Sequence, residues 1–203
     1  TPVEPAARYT SNIMSNLVLT QQRTMASLDY KRDVLASSYG VTLVQDRVTR
    51  VDTVNKQVFL ANGAPLAYDR LIAAPGVEFM AAYGLSAADY DTKTPHAWRA
   101  GPQTALLTHQ IASMVDGDIF LMTIPAAPYR CPPGPHERAC LVADWIKAKR
   151  PRGKLIVLDA NPDFVTEKDN FSNAFFGLHG GVIEYVTNAT VSPAAIRSIT
   201  SRL

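Results

Sequence analysis

Read only as apolar and polar positions, the chain changes rhythm twice. Residues 1–39 are polar at the start and weakly helical towards Tyr39. From 40 to 76 the apolar positions alternate with period two around Val41, Leu43, Val48 and Val51, then Val58 and Leu60, with Asn62-Gly63 as a turn between runs. That pattern predicts a small antiparallel β meander, closed by the short apolar strand Leu71-Ile72-Ala73-Ala74 and stopped by Pro75-Gly76. Beyond about residue 97 the period lengthens. Ala105, Leu106, Gln110, Ile111 and Met114 have helical spacing, and Asp118 to Ile124 is an apolar run without clean alternation. Cys140, Leu141, Ala143, Trp145, Ile146 and Ala148 predict a helix over about 135–149; Lys154 to Asp159 and 182–187 read as further strands. Strand, helix and strand within about 40 residues, both strands apolar throughout, form a βαβ unit of a parallel sheet.

Composition narrows the picture only slightly. At 203 residues, 47% hydrophobic and 19% charged, the chain is long enough for one or two packed α/β units. A formal charge of +2, with its densest basic cluster confined to KAKRPRGK at 147–154, gives nucleic-acid binding little electrostatic support. No apolar run reaches about 18 residues, and TPVEPAARYT is not an intact signal peptide, so no transmembrane segment is expected. Two cysteines make no disulfide framework and leave the redox compartment open.

Candidate chemistry gathers in RCPPGPHERAC at 130–140. The first turn of a βαβ unit commonly carries a Gly-x-Gly-x-x-Gly phosphate loop, yet no two of the 11 glycines here are separated by a single residue. Prolines remove amide donors and stiffen the backbone, which suits holding a side chain still better than wrapping a phosphate. No nicotinamide cofactor is expected in this unit. The rigid loop holds Cys131 near a helix that Pro135 can open, and between Arg130 and Arg138, an environment expected to favour thiolate. Glu137 is placed to exchange protons with a substrate at that sulfur. The other reading of the same residues is an ordinary buried thiol beside a favourable first-turn charge. Cys140 lies on the apolar stripe and reads as core, and a Cys131–Cys140 disulfide is disfavoured because one residue precedes the helix and the other lies two turns inside it. A metal site from Cys131, His136 and Cys140 lacks a fourth ligand, so no metal is expected. His96, His109 and His179 are isolated, and Asp159 reads as a cap for the segment after its strand.

Several stretches resemble a known family. YDRLIAAPG at 68–76 resembles the junction where flavoproteins with two dinucleotide-binding domains return to the FAD-binding domain. PHAWRAGPQT at 95–104, IPAAPYRCPPGPHERA at 124–139 and KAKRPRGKLIVLDA at 147–160 are narrower, and resemble the flavoprotein subunit of flavocytochrome c sulfide dehydrogenase. The likeness runs from Glu4 to about Tyr185, and CPPGP is its most specific part. It implies an α/β fold made of parts of two dinucleotide-binding, Rossmann-like domains with a small β meander: a partial FAD-binding domain over 1–76, with the meander at 40–76, a connecting segment over 77–97, and a second nucleotide-binding-like domain over 98–203.

The resemblance further implies that Cys131 matches the first redox-active cysteine, which forms a disulfide beside the flavin and takes up sulfide sulfur, and that Glu137 matches a nearby proton acceptor. Glu4 matches the acid that binds the adenosine ribose, Val48 the position whose backbone meets the adenine, and Ala74, Pro75 and Gly76 the strand end near FAD. Where some members carry a cysteine bonded to the flavin this chain has Asn12, so FAD would be held non-covalently there. Electrons would pass from sulfide through the disulfide and FAD to a c-type cytochrome subunit in the periplasm. The glycine-rich FAD loop is expected before Thr1 and the second redox cysteine beyond Leu203, so the chain reads as an internal fragment, inactive alone. Two alternatives stay open: a sulfide:quinone or pyridine-nucleotide-dependent reductase, and a non-enzymatic interaction domain with a structural cysteine.

Overall fold

The computed structural model describes residues 1–192. Two compact units form, one from Thr1–Ser11 and Leu28–Met80, the other from Asn12–Ser27 and Ala81 onward.

In the first unit, β1 (Arg8–Thr10) pairs antiparallel with β2 (Asp29–Lys31), and α2 (Asp33–Tyr39) ends on Gly40. Gly40 takes a left-handed φ of 62° that lets its amide bond back to Ala36 O and Leu35 O. The meander follows as β3 (Val48–Asp52), β4 (Gln57–Leu60) and β5 (Leu66–Ala67), in the order β3-β4-β5. Asp46 fixes its last turn by accepting from Arg47 N at 2.7 Å, Gly63 N at 2.9 Å and Asn62 N at 3.1 Å. Two details correct the sequence reading. Val41 and Leu43 lie outside any strand, the only pairing near them being a single bridge between Val3 and Val44. Leu71–Ala74 is not a strand either: Leu71 is 43% and Ile72 91% exposed. β5 already occupies the free edge of β4, and an apolar run with no neighbouring ladder has nothing to pair its amides with.

The second unit is built on the parallel sheet β6 (Ile119–Ile124), β7 (Lys154–Asp159) and β8 (Ile183–Val186), in that order. Its helices are α1 (Asn16–Leu19), α3 (Ala87–Thr92), α4 (Pro102–Ser113), α5 (Gly134–Lys149) and α6 (Lys168–Ser172), the last running into a π-helical turn at Asn173–Leu178. The predicted helix and strands thus stand within a residue or two of their expected ends. α5 lays Ala139, Val142, Ala143 and Ile146 on Leu155 and Val157 of β7, all essentially inaccessible. Burying each of the larger of these side chains contributes roughly 1.5–3 kcal/mol. The other face of β6 is less covered, Ile119 remaining 61% exposed.

Candidate functional site

The loop from β6 to α5 is fixed at both ends. At its start, Asn161 Oδ1 accepts from Ala127 N at 2.8 Å while Asn161 Nδ2 donates to Pro125 O at 3.0 Å. Asp159, at the end of β7, orients that amide by accepting from Asn161 N at 2.9 Å and Nδ2 at 2.7 Å. At the far end Gly134 N donates to Cys131 O at 3.0 Å, and the His136 ring reaches Pro132 O at 3.3 Å. Asp159 is therefore a buried organiser of this loop as well as the cap expected of it.

Cys131 is exposed and free, with a left-handed φ of 58°. That region is uncommon for a residue with a β-carbon and costs on the order of 1 kcal/mol, which the clamped loop must offset. Its sulfur leans on a small niche: a β-carbon added to Gly134 would lie 3.3 Å from Sγ and 3.4 Å from the Trp98 ring. Trp98 has the Arg138 guanidinium 3.5 Å from its ring centroid on one side. Arg138 does not face the loop, as its place in the sequence had suggested. It is buried, donating to His96 O at 2.6 Å, Asn16 Oδ1 at 2.9 Å and Ala97 O at 3.0 Å. Burial draws it down to about 9, so it still carries its charge at neutral pH. The planar fork finds three acceptors here, and no carboxylate is among these bonds. Arg130 and Glu137 are exposed, Glu137 in the first turn of α5.

The start of α5 offers few amides to an anion. Pro133 and Pro135 have none, Gly134 N is taken by Cys131 O, and Glu137 N donates to Pro133 O. What remains exposed is a thiol. Cys140 is free and half-buried against the core, its thiol pushed up to about 11 by burial.

Beneath the loop lies a group that sequence reasoning treated only as a possible metal ligand. His136 is fully buried, its Nε2 3.6 Å from Asp159 Oδ2. Phe164, Phe171 and Phe175 surround the ring at centroid distances of 5.1, 5.0 and 6.0 Å. Tyr185 donates to Asp159 Oδ2 at 2.7 Å, and burial together with that bond pushes its own pKa up. The sequence signal is a histidine two residues past CPPG and one turn along the helix from Pro132, so that its ring returns to the loop.

The residues matched to a cofactor lie in the first unit. Glu4 is half-buried; its Oε1 accepts from Ala6 N at 3.2 Å and its Oε2 stands 3.6 Å from Arg32 Nη2. Val48 is 42% exposed on β3. Ala74, Pro75 and Gly76 are exposed, and Gly76, at φ 83°, has open space where a β-carbon would be. An accessible carboxylate and a bare backbone stretch suit a ribose and close approach by a planar group. In the second unit, Asn12 is exposed, its Oδ1 accepting from Ser15 Oγ at 3.2 Å. Among the described residues no cluster of three or more His, Cys, Asp or Glu is arranged to hold a metal, and no helix is long and apolar enough to cross a membrane.

Comparison with known proteins places this geometry. Similar solved structures include the sulfide:quinone oxidoreductase of the hyperthermophilic bacterium Aquifex aeolicus, with TM-score 0.69 and 14% identity over 94% of this chain and 45% of that one. NDH2 from Plasmodium falciparum follows at TM-score 0.63 and 14% identity, over 94% and 43% of the two chains. Reduced CoADR-RHD from Bacillus anthracis gives 0.61 and 11%, over 94% and 34%. The chain spans less than half the length of each. At such identities the likeness shows a shared fold, the mixed α/β, Rossmann-like architecture of these oxidoreductases. A family model for the central part of the sulfide dehydrogenase (flavocytochrome c) flavoprotein chain matches residues 104–202, the stretch that carries the parallel sheet and the Cys131 loop. Over that segment the chain is similar to the flavoprotein chain of flavocytochrome c sulfide dehydrogenase.

Proposed function

We propose that this chain is the part of a sulfide-oxidising flavoprotein that carries its reacting thiol, Cys131, and that the whole protein passes electrons from sulfide through FAD to a c-type cytochrome subunit in the periplasm. The observation that carries the reading is Cys131 itself: an exposed sulfur held in a left-handed backbone conformation by a loop clamped at both ends. The family match at residues 104–202 supports flavoprotein oxidoreductase chemistry.

In the proposed step Cys131 forms one half of a disulfide. Hydrosulfide attacks Cys131 Sγ, the S–S bond breaks, the partner thiolate leaves, and a persulfide remains on Cys131. The disulfide takes up the two electrons and the sulfide sulfur is oxidised. Glu137, exposed one turn into α5, accepts the proton that hydrosulfide loses. Glu4 would hold a ribose, Val48 and Ala74–Gly76 would offer backbone to the flavin nucleotide, and Asn12 leaves that nucleotide unbonded at this place. FAD, when bound, supplies a two-electron acceptor for the persulfide and thiolate that this step leaves. The alternative reductase would use a quinone instead, as the Aquifex aeolicus protein's name states for that protein.

The test is Cys131→Ser in the full-length flavoprotein. Sulfide-dependent reduction of cytochrome c should fall by about 10²-fold or more, as when a covalent catalyst loses its nucleophile. Turnover that survives the substitution would contradict the reading, and turnover with a quinone but not cytochrome c would favour the alternative.

A further inference from the structure

His136 faces two acceptors with one proton to give. Pro132 O is a carbonyl and can only accept, so the contact at 3.3 Å requires a proton on Nδ1. In the neutral ring Nε2 is then a lone pair, directed towards Asp159 Oδ2 at 3.6 Å, and it has no hydrogen-bond partner. Both side chains are inaccessible to solvent, so water does not relieve the mismatch. The opposite tautomer serves Asp159 and leaves Pro132 O facing a lone pair. Only the imidazolium serves both.

From this geometry we infer that His136 is a positioning residue for Cys131, a proton-dependent tie between the thiol loop at Pro132 O and the strand end at Asp159. The residue after Cys131 supplies the carbonyl, and Asp159 also clamps the start of the same loop through Asn161. The titratable groups at this tie are Asp159 from β7, Tyr185 from β8 and, on the loop itself, Tyr129, whose hydroxyl also donates to Pro132 O at 3.4 Å and which burial pushes up to about 12, so that it stays protonated; the segment after β7 presents Phe164, Phe171 and Phe175. Tyr185 stays protonated, since its bond to Asp159 and its burial push it up. Burial draws His136 below its ordinary 6.5, with Pro132 and Asp159 pulling the other way. The tie therefore tightens on the acid side of neutrality. There the imidazolium adds a second tether, from Nε2 to Asp159, and so a firmer hold on the loop that presents Cys131 Sγ.

This inference rests on Cys131 being the reacting sulfur, but its test does not need sulfide. In the full chain carrying Cys140→Ser, alkylation of Cys131 by iodoacetamide is followed against pH. Two inflections are expected: the thiol's own, and one below pH 6.5 where the rate lies about threefold to tenfold above a single-thiol curve, the population change carried by one hydrogen bond. His136→Asn keeps a donor near the Nδ1 position at every pH. It should hold the neutral-pH rate and lose the acid inflection, whereas His136→Phe should lose both. A His136→Asn profile that superimposes on the parent overturns the inference. Should the variants fail to fold, imidazole nitrogen NMR of the unsubstituted chain decides. Nδ1 should stay protonated throughout with Nε2 gaining its proton only below pH 6.5, and a proton on Nε2 alone at neutral pH overturns the tie. An acid inflection alongside sulfide turnover that survives Cys131→Ser sinks the functional reading and leaves the tie standing.

Discussion

Cys131 and Gly134 behave as a pair. The glycine is not required by its backbone angle, which is not left-handed; it is required by space, because Sγ and the Trp98 ring lie within 3.4 Å of where a β-carbon would stand. Gly134→Ala should therefore drive the sulfur off the Trp98 wall and into solvent. Its reaction with a thiol reagent should quicken severalfold and the Trp98 fluorescence should shift. Urea unfolding should move by no more than about 1 kcal/mol, since alanine gains helix propensity as it loses room. Unchanged reactivity would mean that the niche does not set the sulfur's position.

At the level of elements, Arg138 joins pieces of chain far apart in sequence: Asn16 in α1, the His96-Ala97 carbonyls before α4, and its own helix α5. Arg138→Met should cost about 3 kcal/mol in denaturant unfolding, because three acceptors, one buried and two part-buried, lose their donor. Arg138→Lys should recover only part, an ammonium being unable to serve three acceptors in one plane. An equal loss of stability in the two variants would argue that charge, and not the fork, matters.

This joint was the least legible element in the sequence. Helical spacing located α4 and α5, and unbroken apolar runs located β6 and β7, because burial of a continuous face writes itself into local pattern. An arginine turned inward leaves no such trace. Similarly, α3 lies in a stretch read as a connection, although Ser86 and Asp89 reciprocally cap it and Ser-x-x-Asp was there to be seen. Leu71–Ala74 misled in the other direction: apolar composition signals the capacity to form a strand, but pairing depends on a neighbour that composition does not contain. At the candidate site the loop and Cys131 were readable from their prolines, whereas the His136–Asp159 contact joins residues brought together only when the helix packs on the sheet.

Over the whole described molecule, three histidines are drawn below their ordinary 6.5 chiefly by burial: His96, His136 and His179. Each binds its proton more readily when unfolded, so the stability they contribute is complete above pH 6.5 and is lost as pH falls through that value towards the lowered folded values. The thermal midpoint should accordingly drop on the acid side of pH 6.5 and then level, and His136→Asn should shallow the slope. A midpoint flat down to the range where carboxylates titrate would contradict it.

All these scales meet at one sulfur, and its chemistry can be tested directly. Cys131 in the full chain, converted to a mixed disulfide with a small aromatic thiol, is treated with hydrosulfide and read by mass spectrometry. The account predicts release of the aromatic thiol with one sulfur retained on Cys131 as a persulfide, faster than with the same mixed disulfide of free cysteine. Recovery of the bare Cys131 thiol, or a rate no greater than that of free cysteine, would contradict it.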